Sequence, residues 1–374
     1  MKKFIFKIVL NLILLVLLLI PPSLILKYSR ENFNDLKNLI KKKDDYLIGY
    51  FYNENNYNYL KWLSINENKK HQIIILGSSR VLQFRKKMFQ TSFYNAGYTI
   101  KSIGDFKSFL EGIPKNKYPT YLIIGLDQWM FNINWNNGGV AGQQNNYWSS
   151  SFSKYPKFDT YISVYKDLIK SKYGLNVITN NFSTKKIGLR AIVNNIGFRK
   201  DGSLYYGEQI YKLISNDITA KDYKFNNTFS RIKNGNFGFV YAEQVNDLAV
   251  YKLNQLLSFC KKNNITVIGF TPPFANSVYE KMISSKKYLY IESLESILQK
   301  EFNKYNFEFY NYSSVELLGS NDDQFIDGFH GGEVVYANIL IDMLRKNSIL
   351  NEVSSYNNLE TDKKNKKNRF TLYK

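Results

Sequence analysis

Short apolar runs that alternate with helical patterns constrain this chain more than any other feature. Residues 72–76 (QIIIL), 92–94 (SFY), 121–125 (YLIIG) and 265–270 (ITVIGF) are closed by turn residues and read as buried strands. A weaker fifth strand, residues 307–310 (FEFY), follows them. Between the runs, Val245, Ala249, Leu253, Leu256 and Cys260 fall on one helical stripe, which gives Cys260 a place in the core. Residues 290–305 read as a further helix, and so do residues 332–346, with Val334, Ala337, Ile341 and Leu344 inward. Strands alternating with helices predict an α/β fold with a doubly wound parallel sheet. Functional sites in such sheets form beyond the carboxyl ends of the strands.

The alternation stops between residues 131 and 241. This stretch is rich in Asn, Ser, Tyr and Trp and includes GFRKDGSLYY at residues 197–206. It is too long for a loop and too irregular for another strand-helix unit. We expect an inserted subdomain above the third strand, in a position to cover a site. The parallel-sheet domain is then expected in two parts, residues 71–130 and 242–350.

At the N-terminus, residues 4–26 are apolar except for Lys7, Asn11 and the Pro21-Pro22-Ser23 step. That length crosses a hydrocarbon core of about 30 Å. Lys2, Lys3 and Lys7 mark the cytoplasmic end, which puts the rest of the chain outside. A cleaved signal peptide is the alternative, but no small-residue cleavage site follows the run. Residues 1–30 therefore read as a single-pass membrane anchor, and residues 31–70, charged and aromatic by turns, as a stalk or cap. The basic run at 363–369 (KKNKKNR) reads as part of a solvated, disordered tail covering residues 351–374.

Composition narrows the chemistry. The chain has 374 residues, a formal net charge of +20, one Cys and two His. A single Cys excludes an intramolecular disulfide and a multi-cysteine metal site, and no metal or cofactor is expected. The basic excess is scattered through a Lys-, Asn-, Ile- and Tyr-rich chain and conflicts with export as a sign of nucleic-acid binding. Histidine chemistry must use His71 or His330, and His71 begins the first strand, at the end away from any site.

Gly77-Ser78-Ser79-Arg80 follows the first strand and leads into VLQFRKKMF, which reads as helical. A Gly turn there lifts a Ser hydroxyl to the sheet edge, beside helix N–H groups that can stabilise an oxyanion. Alone, this Ser would be an N-cap. The segment Asp327-Gly328-Phe329-His330, before the final helix, changes the reading. An Asp three residues before a His can fix the ring tautomer while the imidazole serves a Ser.

These residues resemble the SGNH (GDSL-like) hydrolase superfamily, which implies a flavodoxin-like, SGNH hydrolase-like sheet. Gly77-Ser78-Ser79 matches its first block, with Ser79 as nucleophile and Ser78 in place of the usual Asp. Asn95-Ala96-Gly97 matches the second, and the resemblance implies that Gly97 donates its N–H to the oxyanion, together with Ser79. Asp327 and His330 match the last block and complete a Ser-His-Asp triad. The third block is degenerate: Gly125-Leu126-Asp127-Gln128 puts Asp127 where an Asn amide normally donates. A carboxylate there would repel the oxyanion. Either Gln128 substitutes, or Asp127 is protonated or turned away, or the hole is weak.

Arg80 and Arg199 are candidates for binding an anionic substrate, with structural ion pairing as the alternative. Asp127 and Trp129 are further candidate substrate contacts. Trp129, Trp135 and Trp148 suit sugar stacking or plain packing. The sequons at Asn181, Asn226, Asn264 and Asn311 are chance matches in so Asn-rich a chain.

Membrane-anchored proteins of this superfamily with a middle insertion are similar to those that acylate or deacylate envelope polysaccharides. The alginate acetylation proteins and the D-alanine transfer proteins of teichoic acids are among them. The resemblance implies an esterase or O-acyltransferase using a cell-envelope glycan, an acyl donor and an acyl-Ser79 intermediate. A non-catalytic scaffold that binds a glycan or a membrane acyltransferase partner is the alternative.

Overall fold

The computed structural model describes residues 1–31, 36–42, 44–135, 156–179 and 185–373. Trp148 and the sequon at Asn181 lie outside the described residues. The chain forms two compact units. One comprises Met1–Tyr57, Ser150–Lys200 and Tyr205–Glu208, the other Asn58–Ser149, Asp201–Leu204 and Gln209–Lys374.

The smaller unit contains helix α1 (Lys2–Tyr28), which is long and apolar enough to cross a membrane. Its short strand Leu47–Ile48 pairs in parallel with Lys186–Ile187 and antiparallel with Gly197–Arg199. The expected stalk and part of the expected insertion thus share one sheet. The remainder of residues 131–241 belongs to the larger unit, so the insertion is not a single subdomain.

In the larger unit, β1 (Ile73–Leu76), β2 (Phe93–Asn95), β3 (Tyr121–Gly125), β4 (Thr266–Thr271) and β5 (Glu308–Asn311) form a parallel sheet in the order β2-β1-β3-β4-β5. All five predicted strands are present within a residue of their expected bounds. Alternation along β1 sends Ile73 and Ile75 into one core layer and Ile74 and Leu76 into the other, so both faces must be covered. Helices α2 (Ile103–Glu111), α3 (Asp247–Lys262) and α4 (Tyr290–Asn303) cover one face, and α5 (Glu333–Arg345) covers the other. Each fully buried aliphatic side chain in these layers contributes about 1.5–3 kcal/mol. Helix α3 begins where Asn246 Oδ1 accepts from the N–H of Leu248 at 3.0 Å and of Ala249 at 3.3 Å. Its stripe carries Cys260 into the core, where burial pushes the thiol up to about 12.

Two local expectations are corrected. The segment after Ser79 is not an α-helix; it holds only the single turns Ser79–Val81 and Lys86–Met88. Residues 80–85 are all buried, and distant groups take their carbonyls. Asn95 Nδ2 donates to Val81 O and Phe84 O, and Leu204 N–H donates to Leu82 O. Nor is the C-terminal segment a disordered tail. Tyr356–Lys364 is helical, Phe370 and Leu372 are buried, and Leu372 N–H donates to Glu333 Oε2 at 3.0 Å. Buried Leu359 on one side of the basic run and buried Phe370 and Leu372 on the other hold the segment against the fold.

Candidate active site

In the order β2-β1-β3 the connections leave β1 and β3 in opposite directions, which opens a crevice at their carboxyl ends. Gly77, Gly97 and Gly125 follow or end β1, β2 and β3, and all three crowd around Val81. A Cβ on them would come within 2.7, 2.6 and 2.2 Å of its methyl groups. Val81 packs into this notch and thereby fixes the turn that presents Ser79. Ser78 caps the turn, its Oγ accepting from Arg80 N–H at 3.1 Å.

The partner residues arrive on a tight antiparallel hairpin, β6 (Phe325–Asp327) and β7 (His330–Gly331), in which Asp327 pairs with His330. Facing positions on such a hairpin bring the two side chains together, which is why a spacing of three suffices. His330 Nδ1 lies 2.9 and 2.8 Å from Asp327 Oδ1 and Oδ2. Its Nε2 lies 2.8 Å from Ser79 Oγ. Asp327 Oδ1 also accepts from the N–H of Phe329 at 3.0 Å and of His330 at 2.9 Å. Burial pushes the Asp327 carboxyl up, but the His330 ring and these N–H groups outweigh it and hold the group below the usual carboxylate range. The carboxylate therefore stays ionised and favours the tautomer with its proton on Nδ1, which leaves Nε2 to accept from the serine hydroxyl.

Three groups outside the motif hold the hairpin. Gly328 N–H donates to Asp222 Oδ2 at 3.3 Å, Ala275 N–H donates to Gly328 O at 3.0 Å, and Arg80 Nε donates to Phe329 O at 3.0 Å. A Cβ at Gly328 would meet Thr228 Cγ2 at 2.5 Å, so glycine is required for this approach. Asp222 and Thr228 were not found from sequence. The one signal they carry is local: Asp222 accepts from the N–H groups of Asn227 and Thr228 at the start of the helix Asn226–Asn234.

Two of the three expected oxyanion donors are committed elsewhere. Gly97 N–H donates to Asn95 Oδ1 at 2.9 Å. Gln128 is fully buried; its Nε2 donates to Pro272 O and Ser313 Oγ, both at 2.9 Å, and its Oε1 accepts from Arg80 Nη1 at 2.8 Å. The Ser79 N–H, first in its helical turn, has no intrahelical acceptor and stands beside the reacting hydroxyl.

Arg80 is not placed to meet a substrate. It is 1% exposed, and its guanidinium donates to Phe329 O, Gln128 Oε1, Asp127 Oδ1 (3.3 Å) and Pro272 O (2.7 Å). The rings of Phe274 and Trp129 flank it at 4.3 and 5.0 Å. This cation explains the departure at Asp127, which is buried beside it as counter-charge and is not a substrate contact. Burial pushes the Asp127 carboxyl above its usual range against the pull of Arg80, and its Oδ2 accepts no hydrogen bond. Arg199 lies in the smaller unit with its guanidinium 4.8 Å from the Tyr205 ring.

A cavity of about 500 Å³ opens on Ser79 and is lined by Tyr98, Lys101, Trp129, Met130 and Trp135. Trp129 thus faces the cavity while its ring also packs on Trp135, Phe274 and Phe329. His71 precedes β1, stacked on Tyr94 at 5.4 Å, and takes no part in this site. Comparison with protein-family models, with curated proteins and with solved structures returned no match to this chain.

Proposed function

We propose that this chain is a serine-dependent acyl hydrolase or O-acyltransferase of SGNH type, with Ser79 as nucleophile, His330 as general base and Asp327 as the group that orients it. The observation that carries the reading is the unbroken relay from Ser79 Oγ through both ring nitrogens of His330 to Asp327. As the Ser79 oxygen attacks an ester carbonyl, its proton passes to His330 Nε2, and the resulting imidazolium is stabilised by ionised Asp327. The tetrahedral oxyanion accepts a hydrogen bond from the Ser79 N–H. Collapse breaks the ester C–O bond, His330 donates the proton taken from Ser79 to the departing oxygen, the alcohol leaves, and acyl-Ser79 remains. Water or a sugar hydroxyl, deprotonated by His330, then takes the acyl group and restores the serine.

A cell-envelope polysaccharide is the substrate class we favour. It rests on the basic leader and apolar α1, which point to an anchored domain outside the cytoplasm, and on the tryptophan-lined cavity beside Ser79, which suits sugar rings. The scaffold reading has its own support: the Gly97 N–H and the Gln128 amide, the other expected oxyanion donors, are both engaged. Each missing donor costs about 10²–10³ in rate, which predicts a slow enzyme before it predicts an inert one. The test is hydrolysis of an O-acetylated glycan and a chromogenic acetyl ester by the full chain and its Ser79→Ala variant. Serine-dependent turnover of either supports the reading, and equal rates for the two proteins contradict it.

A further inference from the structure

The smaller unit carries a surface that the proposed chemistry does not use. Its helix Phe158–Ile169 buries Val164 and half-buries Leu168 against the unit, yet presents a second apolar stripe. Phe158, Ile162 and Ile169, four and seven residues apart, fall on one line of the helix and are 65%, 40% and 81% exposed. Exposed Lys157, Lys166 and Lys170 flank this line. Leu175, just beyond the helix, adds another exposed apolar side chain.

The position of this helix on α1 sets its depth. Apolar side chains of α1 at positions 4–18 are 43–68% exposed, Leu19 is half-buried, Ile20 is 43% exposed, and full burial begins at Pro22. From Lys2 to the residue before Pro22 the helix is about 30 Å long at 1.5 Å per residue, the thickness of a hydrocarbon core. If α1 spans, Leu18 lies within the span, near its C-terminal end. Tyr165 OH donates to Leu18 O, which puts the helix Phe158–Ile169 at that level of the bilayer.

We propose that Phe158–Ile169 is a second membrane element, lying in the leaflet from which the C-terminal part of α1 emerges. Phe158, Ile162 and Ile169 enter the acyl-chain boundary, and the flanking lysines reach the phosphates. The inference rests on the reading of α1 as a membrane span. It seats the smaller unit in the bilayer, where a tether alone would leave it free above the surface.

The test uses the full chain in phosphatidylcholine and phosphatidylglycerol vesicles, with single cysteines at Leu12→Cys, Ile162→Cys, Ile169→Cys and Lys170→Cys. Each carries an environment-sensitive fluorophore, and nitroxide-labelled acyl chains act as quencher; the native Cys260 is fully buried and does not compete. We expect labels at positions 12, 162 and 169 to lose most of their fluorescence and the label at 170 to lose little. Quenching at 12 with none at 162 and 169 would overturn the proposal and leave the anchor standing, with a protein partner as the occupant of the stripe. No quenching at 12 would remove the span and the proposal together.

Discussion

Arg80 Nε donates to Phe329 O at 3.0 Å, tying the residue after the candidate nucleophile to the residue before its base. The clamp buries a cation, and Asp127 offsets its charge at 3.3 Å. Removing one member of a buried pair costs about 3–5 kcal/mol because the other charge is left uncompensated. Arg80→Met should therefore destabilise the larger unit by that order in chemical unfolding. Arg80→Met with Asp127→Leu should recover part of the loss in stability but not the clamp, so acyl-ester turnover should stay low in the double variant.

Asp327→Asn keeps an oxygen for the N–H groups of Phe329 and His330 but places an amide opposite His330 Nδ1. The wrong tautomer is then favoured, and turnover should fall by roughly 10³–10⁴, somewhat less than for His330→Ala. His71→Ala should leave turnover unchanged. The carboxyl of Asp327 is held below its ordinary value, so its contribution to stability is present above about pH 3.8 and is lost as pH falls through its lower folded value. Steady-state kinetics on the three variants, with circular dichroism to check folding, tests this ranking.

Two groups shifted by burial, half-buried His71 and buried Glu31, should give the units opposite pH responses. Burial, with Lys117 nearby, pushes His71 down to about 4, so its contribution is full above pH 6.5 and is lost as pH falls toward 4. In the smaller unit, burial pushes Glu31 up to about 7, although its carboxyl accepts from the N–H groups of Tyr52, Leu189 and Phe51. Its contribution is full below pH 4.5 and is lost as pH rises through 7. Each change amounts to up to about 3 kcal/mol. Hydrogen exchange should show Phe51, Tyr52 and Leu189 less protected at pH 7 than at pH 5, and Ile73 to Leu76 the reverse. His71→Gln should flatten the response in β1.

The strands and the Ser79, Asp327 and His330 constellation were legible in the sequence because each rests on local signals: short apolar runs, a Gly turn, and a spacing of three across a hairpin. What was not legible depends on competition between distant groups. Gly97 is the exception: Asn95, two residues before it, takes its N–H in a local Asx-turn that the sequence could have suggested. Arg80 reads as a substrate cation until Asp127, Gln128 and Phe329 are seen to surround it. Val81 carries no motif, yet it explains three glycines at once. The smaller unit was missed because its sheet joins Ile48 to Ile187 and Phe198 across a long separation in the chain.

The basic leader and the single apolar span of α1 predict that everything after Tyr28 lies outside the cytoplasm. A reporter fused after Lys374 and active only in an exported state should be active in this chain. Replacing Lys2, Lys3 and Lys7 with Glu should weaken or scramble that topology. Activity of a cytoplasm-dependent reporter at the same position would refute the orientation and leave an envelope substrate out of reach.

The central claim is that Ser79 is an activated nucleophile, and covalent labelling tests it most directly. Full-length protein is treated with a fluorophosphonate probe and the modified residue is located by mass spectrometry. One phosphonyl adduct is expected, on Ser79, absent from Ser79→Ala and strongly slowed in His330→Ala. An unlabelled wild-type protein, or equal labelling of wild type and Ser79→Ala, would contradict it and put the non-catalytic scaffold first.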